Sequence, residues 1–366
     1  MNGGAPETRP FLAPRRSTSQ VAIAGLTVGG EAPVRIEGMA KTSTTDIQAT
    51  VEQIISLQEA GCELVRIAVP ALPDARAISS IRPQIGVPLM ADVHFSVKIA
   101  LEAIEAGADS IRLNPGTIRD KKPVLEVASA ARERRIPIRV GVNSGSMRAH
   151  VPNRRDLPGA MADEALEFCA FLDEAGVSDI IASVKASDVL TTVEASRLLA
   201  ARCDYPLHIG VTATGPRLQA AVRSSIAIGT LLTRGIGDTL RVSMTAPARE
   251  EIAVGWHILE ALGIRRRGPE VISCPTCGRC RIDLPSLVDE VSQGLTGIDE
   301  PLKIAVMGCV VNGPGEASEA DVGVAGGARF GFIFKGGKKL RKVPESQLAQ
   351  ELLKEVRSIC AAVRRG

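Results

Sequence analysis

The sequence predicts an α/β fold, a (β/α)8 TIM barrel followed by a small α/β domain with a metal-binding cysteine pattern. From Val34 to about Leu262, eight short aliphatic segments alternate with amphipathic helical segments. The junctions resemble one another, as in Glu59-Ala60-Gly61, where the glycine suits the left-handed cap before a buried parallel strand. An open doubly wound sheet is the alternative, but no G-x-G-x-x-G motif follows the first strand.

The alternation of aliphatic and helical segments sets the bounds of the predicted strands, and composition sets the bounds of the predicted domains. The eight barrel strands are predicted at 34–39, 63–69, 88–95, 109–115, 137–143, 179–185, 206–212 and 238–244. Pro, Gly, Arg and Ser near the start, and an Arg run with Gly and Pro after the barrel, mark irregular segments. Four segments follow: a disordered tail (1–19), the barrel (20–262), a linker (263–273) and the metal-binding domain (274–366). In the last segment we expect a helix at about 285–293, a strand at 302–307, a hairpin turning at Gly336-Gly337 and a helix at about 345–363.

The composition also excludes several classes of function. Hydrophobic residues make up 45% of the 366 residues and aromatic residues 2%, so the core must be aliphatic. A net charge of +3, with few aromatic side chains for stacking, argues against nucleic acid as a partner. No apolar run is long enough for a membrane span or a secretion signal, and eight cysteines then indicate a reducing compartment. We therefore expect a cytoplasmic protein with no membrane partner.

Polar residues late in the predicted strands should converge at the carboxyl ends of the barrel strands, where active sites of such barrels lie. These residues are Arg66, Asp92, His94, Arg112, Asn114, Arg139, Asn143, Lys185, Thr212, Arg241 and Ser243. Five of them are cations, and Asp92 is the only acid among them. Each arginine could instead extend outward or pair with a carboxylate. Five at matching positions nevertheless predict a site for a polyanion, and for a diphosphate in particular.

Asp92 and His94 allow two interpretations. A histidine at a strand end is often only held in place by hydrogen bonds, with the carboxylate orienting it. Either residue could also transfer a proton.

Two cysteine segments near the C-terminus predict a metal site. Cys274 and Cys277 form a C-x-x-C pair, and Cys309 begins a loop of small residues that runs to Glu316. Such thiols indicate zinc or an iron–sulfur cluster before a disulfide. A structural zinc knuckle and a thioredoxin-like redox pair are the alternatives.

The motifs taken together resemble the 4-hydroxy-3-methylbut-2-enyl diphosphate synthases of the methylerythritol phosphate route to isoprenoids. The motifs that carry the resemblance are IRLNPG, ADVHF, IRVGVNSGS, ASVKASDV, GIGDTLRVS, CPTCGR and GCVVNGPGEASEADVGVAGG, within Val34 to Ile359. The resemblance is to the short bacterial two-domain form. It implies reductive ring opening of 2-C-methyl-D-erythritol 2,4-cyclodiphosphate with two electrons that pass through a 4Fe–4S cluster. A flavodoxin or ferredoxin would supply the electrons.

The resemblance also implies the residues that hold the cluster. Cys274, Cys277, Cys309 and Glu316 would be its ligands, and 274–366 would be the 4Fe–4S cluster domain. A hard carboxylate is a poor match for iron–sulfur chemistry, so Glu316 should give way to a substrate oxygen and thereby serve catalysis. The resemblance further implies a head-to-tail homodimer in which the cluster domain of one subunit closes the barrel of its partner.

Four positions depart from the family pattern. Ala213 stands where the family carries a glutamate in T-E-A-G, which removes an acid–base candidate near the substrate. Water, Asp92 with His94, or Glu316 after its release could take its place. The first strand reads Glu37-Gly38-Met39-Ala40-Lys41 where Q-S-M-T-N is usual, and Thr117 replaces an asparagine. Cys280 extends the pair to C-x-x-C-x-x-C, the spacing of ferredoxin ligands, although a bystander thiol is the simpler interpretation.

Two other functions therefore stay open at this point. One is a diverged paralogue that binds a related diphosphate or only transfers electrons. The other is a phosphate-substrate lyase or isomerase with a structural zinc domain.

Overall fold

The structure, a computed structural model, describes residues 11–94, 96–118, 121–147, 151–311, 315, 318 and 320–364. The chain divides into two compact units, Met1–Arg265 and Arg266–Gly366. The division falls inside the segment predicted as a linker.

The first unit is a parallel eight-stranded barrel, as the sequence predicts. Its strands are β3 (Arg35–Met39), β4 (Leu64–Val69), β5 (Leu89–Val93), β6 (Ser110–Leu113), β7 (Ile138–Asn143), β8 (Ile180–Lys185), β9 (His208–Ile209) and β10 (Thr239–Leu240). The sheet order is β8-β7-β6-β5-β4-β3-β10-β9, and a parallel bridge between Ala182 and Leu207 joins its two ends. Side chains two residues apart on a strand share one face, so every second residue points into the barrel.

Strands β9 and β10 are much shorter than their predicted ranges, 206–212 and 238–244. The chain leaves the ladder at Gly210, where the backbone lies against the carbonyl of Arg241. A Cβ at Gly210 would stand 2.4 Å from that oxygen. Residues 211–212 and 241–244 therefore form loops at the mouth instead of continuing the strands.

Eight helices surround the described barrel. They are α1 (Ile47–Glu59), α2 (Leu72–Ile81), α3 (Val97–Glu105), α4 (Lys121–Arg134), α5 (Leu157–Glu174), α6 (Val189–Ala200), α7 (Arg217–Leu232) and α8 (Ala248–Ala261). The side chains of Asp46, Ser96 and Asp188 accept backbone hydrogen bonds at the starts of α1, α3 and α6. Gly61 and Gly107 have φ values of +97° and +98°, which confirms the predicted left-handed junctions. Across the described residues, no helix is both long and apolar enough to cross a membrane.

An N-terminal hairpin that the sequence did not predict closes the opposite end of the barrel. It consists of β1 (Gln20–Ile23) and β2 (Leu26–Gly29). Val21, Ile23 and Val28 are fully buried, and they pack on the inward side chains at the amino ends of the strands, which are Leu64, Met90 and Ile181. Apolar packing therefore fills this end of the barrel interior.

The expectation of a disordered tail over 1–19 is corrected for residues 11–19. Arg15 donates to Asp238 at 2.8 Å, and Arg16 donates to the carbonyls of Cys203 and Tyr205. The polar composition suggested disorder, but these arginines fasten the segment to the barrel. Residues 1–10 lie outside the described residues.

The second unit is a five-stranded sheet covered by two helices. Its elements are β11 (Glu270–Ser273), α9 (Leu284–Gly294), β12 (Lys303–Met307), β13 (Val322–Gly327), β14 (Phe330–Lys335), β15 (Lys338–Pro344) and α10 (Leu348–Val363). The strand order is β11 to β15, with β11, β12 and β13 parallel. The predicted hairpin, its turn at Gly336-Gly337 and both helices are present. Two strands were missed, because β11 lies in the predicted linker and β13 is rich in glycine.

The packing of the hairpin into the barrel leads to a stability prediction. Ile23→Ala should lower the free energy of unfolding of the barrel by about 2–5 kcal/mol, because it removes fully buried methylene groups. Denaturant unfolding followed by the fluorescence of Trp256, the single tryptophan, measures this. Gln20→Ala, at an exposed position of the same strand, is the matched control and should change stability by less than about 0.5 kcal/mol. Equal midpoints for the two variants would contradict the packing.

Candidate functional site

The polar strand ends meet in a cavity of about 120 Å³ at the carboxyl end of the barrel, here called the inner chamber. Its lining residues are Arg66, Asp92, His94, Arg112, Asn143, Ser183, Lys185, Val211, Thr212, Arg241 and Ser243. Of the eleven residues predicted from sequence for the barrel mouth, all but Asn114 and Arg139 line it. The polar residues predicted at separate strand ends thus form one site.

Asp92 links three groups on one side of the inner chamber. Its carboxylate lies 3.1 Å from Nη1 of Arg112, 3.3 Å from Nε2 of His94 and 3.7 Å from Nε of Arg66. Burial raises the pKa of Asp92, but Arg66, His94 and Arg112 outweigh burial and hold that pKa well below its ordinary value. Asp92 is therefore ionised at neutral pH, and it orients His94 and Arg112.

Arg112 fits against β7 because position 141 is glycine. Its Nη2 donates to the carbonyl of Gly141 at 2.9 Å, and a Cβ at Gly141 would stand 2.5 Å from Nε of Arg112. Burial lowers the pKa of Arg112 to about 10, against the opposing effect of Asp92. The guanidinium is thus fixed in place and charged.

Arg139 lies beneath the inner chamber and does not line it. It is fully buried and forms an ion pair with Glu37 of β3. Burial by itself raises the pKa of Glu37, but Arg139 and then Arg66 hold it below its ordinary value. The arginine predicted to bind an anion is in fact neutralised by a carboxylate inside the protein, because alternation places both side chains in the barrel.

Glu251 is a further carboxylate that supports the site, from α8. Its carboxylate lies 3.2 Å from Nη2 of Arg241 and 2.9 Å from Nζ of Lys41, and it accepts from the backbone N–H of Met244 at 2.9 Å. Asp92 is therefore not the only acid near the mouth. The strand-end cations still outnumber the three carboxylates Glu37, Asp92 and Glu251.

Several buried guanidinium N–H groups have no hydrogen-bond partner among the described residues. Within the barrel site they are Nε of Arg66, Nε of Arg241, and Nε and Nη2 of Arg139. A buried charged donor without a partner is unfavourable, so this arrangement is suited to an anion that supplies the missing acceptors. Arg66 and Arg241 line the inner chamber, and they are the donors that such an anion would meet.

A larger cavity of about 570 Å³, here called the outer vestibule, is lined in part by the same residues. Asn114 is found there, together with His94, Thr117, Asn143, Ser146 and Ala213. Ala213 has a φ of +52°, in the left-handed region that few residues other than glycine adopt. None of the described residues that line the outer vestibule is acidic, whereas Glu251 lines a separate cavity of about 170 Å³ together with Ala213 and Arg241.

Lys185 occupies the base of the inner chamber. Its Nζ lies 2.8 Å from Nε2 of His208, and Nδ1 of His208 lies 2.8 Å from the hydroxyl of Thr239. Burial, followed by Arg66 and Arg139, lowers the pKa of Lys185 well below its ordinary value. Burial and the adjacent Lys185 likewise hold the pKa of His208 far below its ordinary value, so the imidazole is neutral.

Besides the lining residues Ser183 and Val211, four residues of the site were not predicted from the sequence as members of it: Glu37, Lys41, His208 and Glu251. Strand alternation could have found two of them. Glu37 lies in the first predicted strand, and His208 precedes Gly210 by two residues on the seventh, so both belong to inward-facing sets. Glu251 comes from a helix, and no periodicity points to its contact with Arg241.

Two of the predicted cysteine ligands, Cys274 and Cys309, lie at one edge of the second sheet. Cys274 directly follows β11, and Cys309 follows the adjacent parallel strand β12 after Gly308. The backbone N–H of Gly308 donates to Sγ of Cys274 at 3.2 Å, and the backbone N–H of Arg281 donates to the Gly308 carbonyl at 3.0 Å. Cys277 is exposed and Cys309 is buried. Glu316 lies outside the described residues.

This donor set fits an iron–sulfur cluster. Among the described residues, no three His, Cys, Asp or Glu side chains come close enough together to share one metal ion. A four-iron cluster takes one ligand for each iron, so its ligands surround a cube and do not meet at a point. Backbone N–H groups directed at the sulfurs, like that of Gly308, are characteristic of such sites and tune their potentials.

Cys280 is turned toward the protein interior. Its thiol lies 3.3 Å from the carbonyl of Ile282, and a Cβ at Gly308 would stand 2.4 Å from its Sγ. Cys274 packs against the same apolar core as Cys280, so it is the contact of the Cys280 thiol with the Ile282 carbonyl that favours the interpretation of Cys280 as a packing residue.

Comparison with known proteins gives consistent matches over nearly the whole chain. The GcpE TIM-barrel domain model matches residues 18–256, and the model of the GcpE protein C-terminal domain matches residues 270–358. A 4-hydroxy-3-methylbut-2-en-1-yl diphosphate synthase (flavodoxin) of Thermodesulfovibrio yellowstonii is 48% identical over 345 residues, which cover 94% of this chain and 99% of that relative. The enzyme of the same name from Geobacter sulfurreducens is 48% identical over 349 residues, with 95% and 99% covered. One from Streptomyces coelicolor is 47% identical over 360 residues, with 97% and 93% covered.

The unpartnered donor of Arg241 leads to a binding prediction. Arg241→Met should raise the dissociation constant for inorganic diphosphate about tenfold to hundredfold, because a hydrogen bond to a charged group is lost. Titration calorimetry on the whole protein measures the constant. Arg217→Met removes an exposed arginine of α7 and is the matched control, which should bind like the original. Equal affinities for the two variants would exclude Arg241 from the anion site.

Proposed function

Because this chain belongs to the GcpE family, we propose that it converts 2-C-methyl-D-erythritol 2,4-cyclodiphosphate to 4-hydroxy-3-methylbut-2-enyl diphosphate by two-electron reductive ring opening in isoprenoid biosynthesis. The relatives named above are enzymes whose names state this product. The observation that carries the proposal is the inner chamber, where buried cations with unpartnered donors suit a compact diphosphate.

The chain's own residues would bind the two parts of the substrate in different cavities. The diphosphate would lie against Arg66, Arg112, Lys185 and Arg241, whose N–H groups match its oxygens. Arg139 would support them from below through Glu37. The carbon skeleton would extend toward the outer vestibule, where Asn114, Asn143 and Ser243 offer hydrogen bonds to its hydroxyl groups.

Asp92 and His94 would have unequal roles. Asp92 is ionised and surrounded by cations, so it would position Arg112 and His94 and would not donate a proton. His94 reaches both cavities and can contact the substrate at the boundary between them.

A 4Fe–4S cluster would be held by Cys274, Cys277 and Cys309, with Glu316 as the proposed fourth ligand and catalytic residue. When bound, such a cluster supplies electrons one at a time and an iron that can accept a substrate oxygen. Gly308 donates its N–H to Cys274 and so holds that thiolate in position. A carboxylate at Glu316 binds less tightly than a thiolate would, which leaves one corner exchangeable.

The proposed partners follow from the relatives and from the surface. A flavodoxin, or a ferredoxin, would deliver the electrons, since the names of the relatives specify flavodoxin. A reducing compartment such as the cytoplasm would keep the proposed cysteine ligands available as thiols. Leu218, Val222 and Ile226 form an exposed apolar stripe on α7, and this stripe supports a homodimer. The head-to-tail arrangement of that dimer rests on the family resemblance.

Ala213 favours a second candidate function. A relative that had lost the acidic residue at this position could bind the diphosphate without turning it over. The same activity experiment separates the two functions, because both predict binding and only the first predicts product.

The proposed function makes a direct activity prediction. Anaerobically purified protein should contain about four iron and four sulfide per chain, and it should form 4-hydroxy-3-methylbut-2-enyl diphosphate with a chemical one-electron reductant. Cys309→Ser should lose most of the iron and the product, whereas Cys169→Ser, at a buried thiol of α5, should retain both. Zinc in place of iron would refute the redox function. Iron without product would favour the second candidate.

The apolar stripe makes a prediction about assembly. Leu218→Glu places a charge on the stripe and should convert a dimer to a monomer at micromolar concentration, as measured by sedimentation velocity. Leu125→Glu makes the same change at an exposed leucine of α4 and should leave the dimer intact. A dimer that survives Leu218→Glu would place the interface elsewhere.

A further inference from the structure

The reaction proposed above needs a proton donor, and few described groups of the inner chamber can serve. Its arginines keep their protons at neutral pH, and Asp92 holds none to give. Lys185 and His94 remain. Lys185 lies at the buried base of the chamber, whereas the side chain of His94 is 33% exposed at the rim.

The surroundings of Lys185 link its protonation to anion binding. The ionisable groups that face it come from five strands or strand ends: Glu37, Arg66, Arg139, His208 and Arg241. Burial and three of these cations lower the pKa of the amine, so the amine holds its proton weakly before an anion binds. An anion in the chamber opposes the same cations and raises the pKa again. Substrate binding would thus load a proton onto Lys185.

His208 fixes the direction of that amine. The neutral imidazole has one N–H, and beside a protonated Lys185, which can only donate, that N–H lies on Nδ1 and donates to the hydroxyl of Thr239 at 2.8 Å. Nε2 is then an acceptor for an N–H of Lys185 at 2.8 Å. The remaining N–H groups of Lys185 are left to face the chamber. A hydrogen bond to an ammonium group also stabilises its protonated form.

We propose that Lys185 is the proton donor of the reaction and that His208 is the residue that positions it. This inference rests on the proposed function. Two electrons from a carrier of the flavodoxin class and one proton enter. The C2–O bond to the phosphate and the C3–O bond break, and a C2=C3 double bond forms. The released phosphate oxygen stays on the diphosphate as an anion, and the C3 hydroxyl leaves as water with the proton from Nζ of Lys185.

The absence of an acid at Ala213 is thereby explained. The outer vestibule has no described carboxylate, and the donor instead lies on the diphosphate side of the substrate. Lys185 would take up its next proton from solvent when the next substrate binds.

The pH dependence of kcat/KM tests this role. The donor form of Lys185 exists below its pKa, so kcat/KM should be constant at lower pH and fall as pH rises through that pKa. His208→Leu removes the acceptor and should move this alkaline limb about one to two units toward acid. His208→Gln keeps an acceptor oxygen and should move it by less than about half a unit. His257→Leu, at an exposed histidine of α8, is the matched control and should leave the profile unchanged.

A second variant covers the case in which His208→Leu fails to fold. Thr239→Val preserves volume but removes the partner of Nδ1, so it should move the limb in the same direction by a smaller amount. A limb that stays in place in both His208→Leu and Thr239→Val overturns the proposal.

Proton uptake gives a readout that does not need turnover. Calorimetry of inorganic diphosphate binding in two buffers with different ionisation enthalpies, without reductant, counts the protons taken up. The cluster-loaded protein should take up close to one proton at a pH on the alkaline limb, and Lys185→Met should take up almost none. Uptake that disappears instead in His94→Gln, together with a moved limb in that variant, overturns the proposal in favour of His94.

Failure of the proposed function would appear separately, as absence of product from the unmodified protein, and proton uptake would still decide whether Lys185 loads a proton.

Discussion

The buried ion pair between Glu37 and Arg139 is the interaction on which the barrel site depends. Both side chains are almost wholly inaccessible, and an uncompensated charge at that depth would be strongly destabilising. Because Glu37 of β3 neutralises the charge of Arg139, the charges of the other cations of the site can remain only partly compensated by carboxylates. Arg66 and Arg241 then face the inner chamber with donors that no described side chain satisfies. The affinity for an anion follows from this incomplete compensation.

Carboxylates decide which cations of the mouth remain available. Asp92 holds Arg112 at 3.1 Å, and Glu251 holds Arg241 at 3.2 Å while it also engages Lys41. These contacts fix long side chains in one geometry, so little conformational entropy is lost when an anion arrives. They leave Lys185 with a histidine as its nearest partner, and its proton therefore responds to the charge of whatever occupies the chamber.

The two units bring their functional residues together in the same way. Parallel strands end at one edge, and the loops that follow them bring together residues that are distant in sequence. In the barrel these residues are cations and amides. In the second unit they are Cys274, after β11, and Cys309, after β12. The N–H of Gly308, the residue before Cys309, donates a hydrogen bond to the thiol of Cys274 and so links the two segments. Each unit therefore builds its own half of the proposed chemistry, anion binding in one and electron supply in the other.

The sequence by itself determined the barrel, because eight aliphatic strands and the glycine junctions after their helices are local signals. It also determined the cationic mouth, because strand alternation and the position of a residue along its strand decide which side chains reach the carboxyl end. It did not predict the N-terminal hairpin, or that Arg15 and Arg16 fasten residues 11–19, since those contacts join distant segments. Only the tertiary structure decided that Glu37 neutralises Arg139, that Glu251 reaches Arg241 from a helix, and that His208 lies beside Lys185. Charge compensation in a buried site depends on distances across the barrel, and no pattern along the chain contains those distances.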